Sequence, residues 1–334
     1  MPRSHDRLRG DTPGELLGPL SQASIAGASA SVTTVLVAFA ANLLVAIAKS
    51  AAAVITGSAS ILAEAAHSWA DTGNEVFLLV ANRRSLRPAD AKHPLGHGRE
   101  AYVWSLIAAL GLFVAGAAVS ITHGVQELLT PESATNFAVG YVVLAISFVL
   151  EGISFLRSLR QAKPAAALMG RDLLEQVMAS SDPTLRAVFA EDSAALIGLV
   201  LAAVGLAAHQ VTGSATPDAV GSILIGVLLA VVAVVLFDRN RQFLVGEEVD
   251  PRIRTAALRS LLEMPEVARV TYLRLEIVGP RMVSVIGDVD LVGDEAESDV
   301  AVRLRALEEK VSASAAVAGA VLSLSAPDEP SLTI

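Results

Sequence analysis

The chain contains no cysteine. Disulfide frameworks, zinc–thiolate sites, iron–sulfur clusters and cysteine nucleophiles are therefore excluded, which leaves histidine and carboxylate as the available metal ligands. Charge is scarce as well: Asp, Glu, Lys and Arg make up 18% of the residues, against about a quarter in soluble domains. Aromatics supply 4%, so Ala, Val, Leu and Ile carry the hydrophobic content of 53% and the mean hydropathy of +0.56. A large aromatic-lined cavity for an organic cation is hard to build from so few rings. A net charge of −9 disfavours nucleic acid as a partner. The composition points to a membrane.

Crossing about 30 Å of hydrocarbon takes roughly 20 mostly apolar residues. Six windows qualify, at 32–54, 58–82, 102–123, 137–156, 187–208 and 216–237. Residues 1–30 form no compact apolar stretch behind basic residues, so they read as a disordered polar tail rather than a secretory signal. Basic residues cluster in alternate connections: Arg83, Arg84, Arg87, Lys92 and Arg99 after the second window, then Arg157, Arg160, Lys163, Arg171 and Arg186 after the fourth. Segments 55–58, 124–136 and 209–217 have neither Lys nor Arg. The positive-inside rule then places both termini in the cytoplasm. The expected setting is a bacterial plasma (inner) membrane.

Beyond residue 242 the pattern becomes that of a soluble domain over 247–326, followed by a tail at 327–334. PRIRTAALRSLLE has helical spacing, VARVTYLRLEIVG and RMVSVIGDVDLVG alternate around Gly279 and Pro280, and a helix near 295–312 precedes a strand at 317–324. The expected fold is an all-α six-helix transmembrane domain at 31–242, then a small α+β domain, αββαβ and ferredoxin-like. Its thin core favours pairing with a second copy, making a homodimer. The segment from Glu247 to Glu329 has 16 acidic and nine basic residues, a net −7 of the chain's −9.

The second window is unusual. Glu64, His67, Asp71 and Glu75 follow at intervals of three, four and four residues, which places them on one helical face. Ionisable groups inside a bilayer are costly and mark ion or proton paths. An imidazole and a carboxylate one turn apart can share a divalent ion, or can simply hydrogen-bond. A further ligand would come from Asp192, with Glu151 or Glu191 as candidates to add another. Neighbours such as Glu191 and Asp192 point about 100° apart, so one of the two is expected to ligate. Asn42 and Asn74 read as helix–helix hydrogen bonders.

The stretch GSASILAEAAHSWADTGNEV, followed by DAKHPLGHGREA, resembles the cation diffusion facilitator family of divalent-metal/proton antiporters. The resemblance covers about 32–326. It implies six spans with cytoplasmic ends, a dimerising C-terminal domain, and a transport site in which His67 and Asp71 supply half the ligands. Asp192 matches the second member of the family's fifth-span pair, but Val188 stands where the first is expected. The chain thus looks like a divergent branch with Glu-Asp at that place. The implied cargo is Zn2+, with Co2+, Fe2+, Mn2+ and Cd2+ also compatible with mixed nitrogen and oxygen ligands. No prosthetic group or enzymatic activity is implied, and no HExxH pair is present.

In the loop after the second window, Asp90, His93 and His97 have a spacing at which some family members bind a second ion. The alternative is that Pro94, Gly96 and Gly98 shape a helix start while the histidines pack or cap. His123 and His209 fall at outer span ends, where packing is the default; nothing is expected of His5. Asp288 and Asp290 alternate on a strand and read as solvated. Metal flux by alternating access is the expected function. The competing readings are a non-transporting metal-sensing or partner subunit and a proton-coupled carrier of another cation.

Overall fold

The computed structural model describes residues 32–131 and 134–334. The expected N-terminal tail, with His5, lies outside the described residues. The chain divides into two compact units between Glu247 and Glu248.

The first unit is helical. Helices α1 (Val32–Thr56) and α2 (Ala59–Ser85) are followed by α3 (Glu100–Ala108), a π turn at Ala109–Phe113, and α4 (Val114–Leu129). Then come α5 (Phe137–Met169), the short α6 (Leu173–Ala179), α7 (Pro183–Thr212) and α8 (Thr216–Val245). Among the described residues, five segments are long and apolar enough to cross a membrane: Phe39–Thr56, Glu100–Leu129, Phe137–Ala167, Pro183–Thr212 and Thr216–Val245. They correspond to five of the six expected windows. The sixth window is α2, whose 27 residues form a helix too polar to meet the same standard, because Glu64, His67, Asp71, Asn74 and Glu75 lie within it.

Local chemistry sets the ends. Gly57 turns the chain at φ 69°, and Ser58 then caps α2 by accepting from the Ile61 amide. Asp182 caps α7 through the Thr184 and Leu185 amides, and Pro183 opens the helix. This start lies upstream of the expected window. It puts Asp192 about 13 Å along the helix rather than at its mouth.

Small residues bring the helices together. A Cβ at Gly124 of α4 would come within 2.7 Å of the Ala219 carbonyl oxygen on α8, and one at Gly226 within 2.6 Å of Ile121. Such contacts replace the hydrophobic drive that is lacking between helices in lipid. One buried cluster joins Ala70, Phe113, Ala117, Leu229 and Ala233; another joins Ala52, Ile61, Leu199, Leu206 and Ile225. Both bury α2 against its neighbours, so its polar face is enclosed by protein.

The second unit has the expected αββαβ order: α9 (Pro251–Leu262), β1 (Val267–Gly279), β2 (Met282–Leu291), α10 (Glu297–Ser312) and β3 (Val317–Leu324). The sheet runs β1-β2-β3, with β1 and β2 antiparallel (Leu275 opposite Val285) and β2 and β3 parallel (Val285 opposite Ala320). Val283, Val285, Val289 and Leu291 form the buried face of β2, the period-two pattern of a half-buried strand. Asp290 is not simply solvated, since its carboxylate pairs with Arg269 at 2.9 Å.

Candidate metal centre

The polar face of α2 meets three other helices. His67 and Asp71 are both buried, and Nε2 of the imidazole stands 3.4 Å from Oδ1 of the carboxylate. Neither His67 ring nitrogen nor Asp71 Oδ1 has a hydrogen-bond partner among the described residues. Buried polar atoms left this way are costly, and a shared cation would satisfy one imidazole nitrogen together with the carboxylate oxygen.

From α7, Glu191 and Asp192 both reach the same region, close enough to feel the Asp71 carboxylate. They are held differently. Asn74 of α2 donates to Glu191, whereas Ser154 of α5 donates to Asp192 Oδ2 at 2.9 Å. Glu191 is thereby tied to an amide, and Asp192 to a single hydroxyl. Glu151 is only half-buried on α5. Ser154, three residues further along α5, binds Asp192 rather than Glu151. Val188 packs beside an apolar cluster that includes Ala187 and Ala194, so the side chain at the expected ligand position has joined the core.

These bundle groups are neighbours without being closed into a cage. Among the described residues, the only three His, Asp or Glu whose ligand atoms all lie within 4.8 Å of one another are Asp90, His93 and His97. In that loop Asp90 Oδ1 is 3.1 Å from His93 Nδ1, and Asp90 Oδ2 is 3.1 Å from His97 Nε2. His97 Nδ1 lies 3.1 Å from Glu100 Oε1, a carboxylate behind the imidazole that orients it. Contact with His97, then the Lys92 and His93 amides, holds the Asp90 carboxyl well below its usual range. Gly96, at φ 78°, makes the turn, and the His97 carbonyl accepts from the Glu100 amide. The loop thus combines a glycine turn with three candidate ligand side chains held close together.

Several charged and polar contacts fix partners that the sequence did not name, although Asn42 and Asn74 make the helix–helix hydrogen bonds expected of them. Lys49 of α1 pairs with Glu64 at 2.9 Å, with both side chains fully buried. Asn42 donates to Glu75 at 2.6 Å. Asp218, at the start of α8, accepts from Ser58 Oγ at 2.9 Å, the Ala59 amide at 2.8 Å and Ser60 Oγ. A lone Lys in an apolar run was the one available signal for the first of these. His209 packs edge-on to Phe137 with centroids 5.7 Å apart, as expected of a span-end histidine.

Apolar helices enclosing carboxylates and an imidazole mark an integral membrane protein with ionisable groups buried among its spans. The sequence pattern of the cation efflux transmembrane domain matches residues 35–245. Metal tolerance protein C4 of Arabidopsis thaliana is 37% identical over 233 residues, 70% of this chain and 51% of that protein. The human mitochondrial proton-coupled zinc antiporter SLC30A9 is 34% identical over 241 residues, 72% of this chain and 42% of its own length. The Escherichia coli cation-efflux pump FieF is 36% identical over 95 residues, 28% of this chain and 31% of the pump. The chain belongs to the cation efflux family, that of the cation diffusion facilitators. Its match spans about half or less of the length of these relatives. They include plant, mitochondrial and bacterial proteins, and so do not single out the bacterial plasma membrane expected from sequence.

Proposed function

We propose that this protein exports a divalent cation, Zn2+ by preference, in exchange for protons. The ion is held by His67, Asp71 and Asp192, with Glu191 or Glu151 as a further ligand. The observation that carries this reading is the buried His67–Asp71 pair, whose donor atoms lack hydrogen-bond partners and are faced by Asp192 from another helix. The human relative's name, a proton-coupled zinc antiporter, supports the same cargo.

Carboxylate and neutral imidazole bind a metal only when deprotonated. On the more acidic side, protons compete for these groups and the ion leaves; on the cytoplasmic side, proton loss reopens them to metal. Alternating access comes from rocking of helices about this midplane site. The reading takes α2 as a sixth span, lined by protein rather than lipid, so that both chain ends are cytoplasmic. The αββαβ unit is read as ferredoxin-like and as the homodimer contact, and Asp90, His93 and His97 as a second, cytoplasmic metal site.

Purified protein in vesicles with an imposed pH gradient tests this. Native protein moves Zn2+, while Asp71→Ala and Asp192→Ala variants do not. Native-rate flux in either variant would overturn the site. Zinc binding without flux in the native protein would instead identify a non-transporting metal sensor or partner subunit.

A further inference from the structure

Glu64 precedes His67 by three residues on the same face of α2, so helical geometry alone would enrol it in the ion exchange. Its surroundings argue otherwise. Lys49 Nζ donates to Glu64 Oε2 at 2.9 Å, and neither side chain is exposed at all. The other oxygen, Oε1, packs against Gly198 of α7, where any Cβ would overlap it. One oxygen is held by the ammonium from α1, and the other lies against the glycine surface of α7 with no hydrogen-bond partner among the described residues.

A buried carboxylate needs a neutralising partner, which can be a proton, a metal ion or a fixed cation. Here the cation is part of the chain. Lys49 is faced by Glu64 and Asp71 from α2 and by Glu151 from α5, and Glu64 is its direct contact. We propose that Lys49 is a positioning residue, a tethered counter-ion that commits Glu64 and so keeps it out of the exchange at His67 and Asp71. The inference rests on the transport site proposed above and narrows it: Glu64, although aligned with the ligands, is neither a ligand nor a carrier of an exchanged proton.

The test is zinc titration of full-length protein in detergent, by calorimetry in buffers of differing ionisation enthalpy, which yields both affinity and protons displaced per ion. All variants carry Asp90→Ala, His93→Ala and His97→Ala, so that the loop contributes no binding. Combining Lys49→Met with Glu64→Gln removes both buried charges together, a change that buried pairs tolerate. This double variant keeps the affinity within roughly two- to threefold and displaces the same number of protons. A loss of about tenfold or more, or one proton fewer, would place Glu64 in the exchange and overturn the inference.

Lys49→Met alone frees Glu64, so about one more proton is displaced for each zinc ion bound. A folded Lys49→Met variant with the native proton count would reduce Lys49 to a structural brace and also overturn the inference. If that variant fails to fold, the double variant still decides. Lys49→Arg retains the pair and behaves as native. Undiminished binding in His67→Ala/Asp71→Ala protein would remove the transport site and this inference with it, whereas a defect confined to the double variant removes only the inference.

Discussion

Ser154 Oγ donates to Asp192 Oδ2 at 2.9 Å, linking α5 to the carboxylate that α7 presents toward α2. The bond occupies one oxygen and orients the other, as groups behind a metal ligand commonly do. Ser154→Ala is therefore expected to weaken zinc binding by about tenfold while leaving the fold intact. Calorimetry beside thermal unfolding checks this. Equal affinity for the native and variant proteins would mean that Asp192 needs no such brace.

Asp218 secures the entry to α2 by accepting from two serine hydroxyls and a backbone amide, and it is 1% exposed. Asp218→Ala strands these donors in a buried site. The expected cost is roughly 2–4 kcal/mol, seen as a clear fall in unfolding temperature in detergent. Asp218→Asn keeps an acceptor and should recover part of the loss.

Gly198 meets Glu64 so closely that no side chain fits between them. Gly198→Ala must displace the carboxylate or separate α2 from α7. Overpacking of this kind costs about 1–3 kcal/mol. Because the bulk acts through Glu64, the smaller Glu64→Asp in a Gly198→Ala background should restore some stability. Additive losses in the double variant would show that the clash lies elsewhere.

Asp90 has a carboxyl held well below its usual range, first by His97 and then by two backbone amides. A group with a depressed folded value stabilises its surroundings above the unfolded value, about 3.9, and loses that contribution only as pH falls through the folded value. The turn should thus keep its hydrogen bonds at about pH 5 and give them up only in stronger acid. Hydrogen exchange at the Lys92 and His93 amides reports this directly. In native protein they stay protected at mildly acidic pH, and in Asp90→Asn that protection is weakened throughout. Loss of native protection already above pH 5 would contradict the assignment.

Five apolar spans, the β1–β2 hairpin and the αββαβ order follow from features that act over a few residues: hydrophobic content, the two-residue strand period and capping by Ser58, Asp182 and Asp250. The α2 span shows where such reading strains. The polar residues proposed for the transport site are the ones that lower its apolarity. His67 and Asp71 were legible as a pair because four residues make about one turn of any α-helix. The proximity of the loop triad was legible from its spacing together with the family resemblance, since a short glycine-containing turn brings nearby residues together in few ways.

The sequence by itself determined where the long helices form, which face of α2 is polar and which residue types can hold a metal, while the short α6 and the π turn at Ala109–Phe113 appeared only in the structure. Tertiary structure alone decided the partners: Lys49 with Glu64, Ser154 with Asp192, Asn74 with Glu191 and Asp218 with Ser58, separated by 15, 38, 117 and 160 residues. Helical periodicity says which way a side chain points from its own axis. How each helix is rotated and shifted against the next depends on packing through positions such as Gly124, Gly198 and Gly226, and that packing separates a committed carboxylate from an available one.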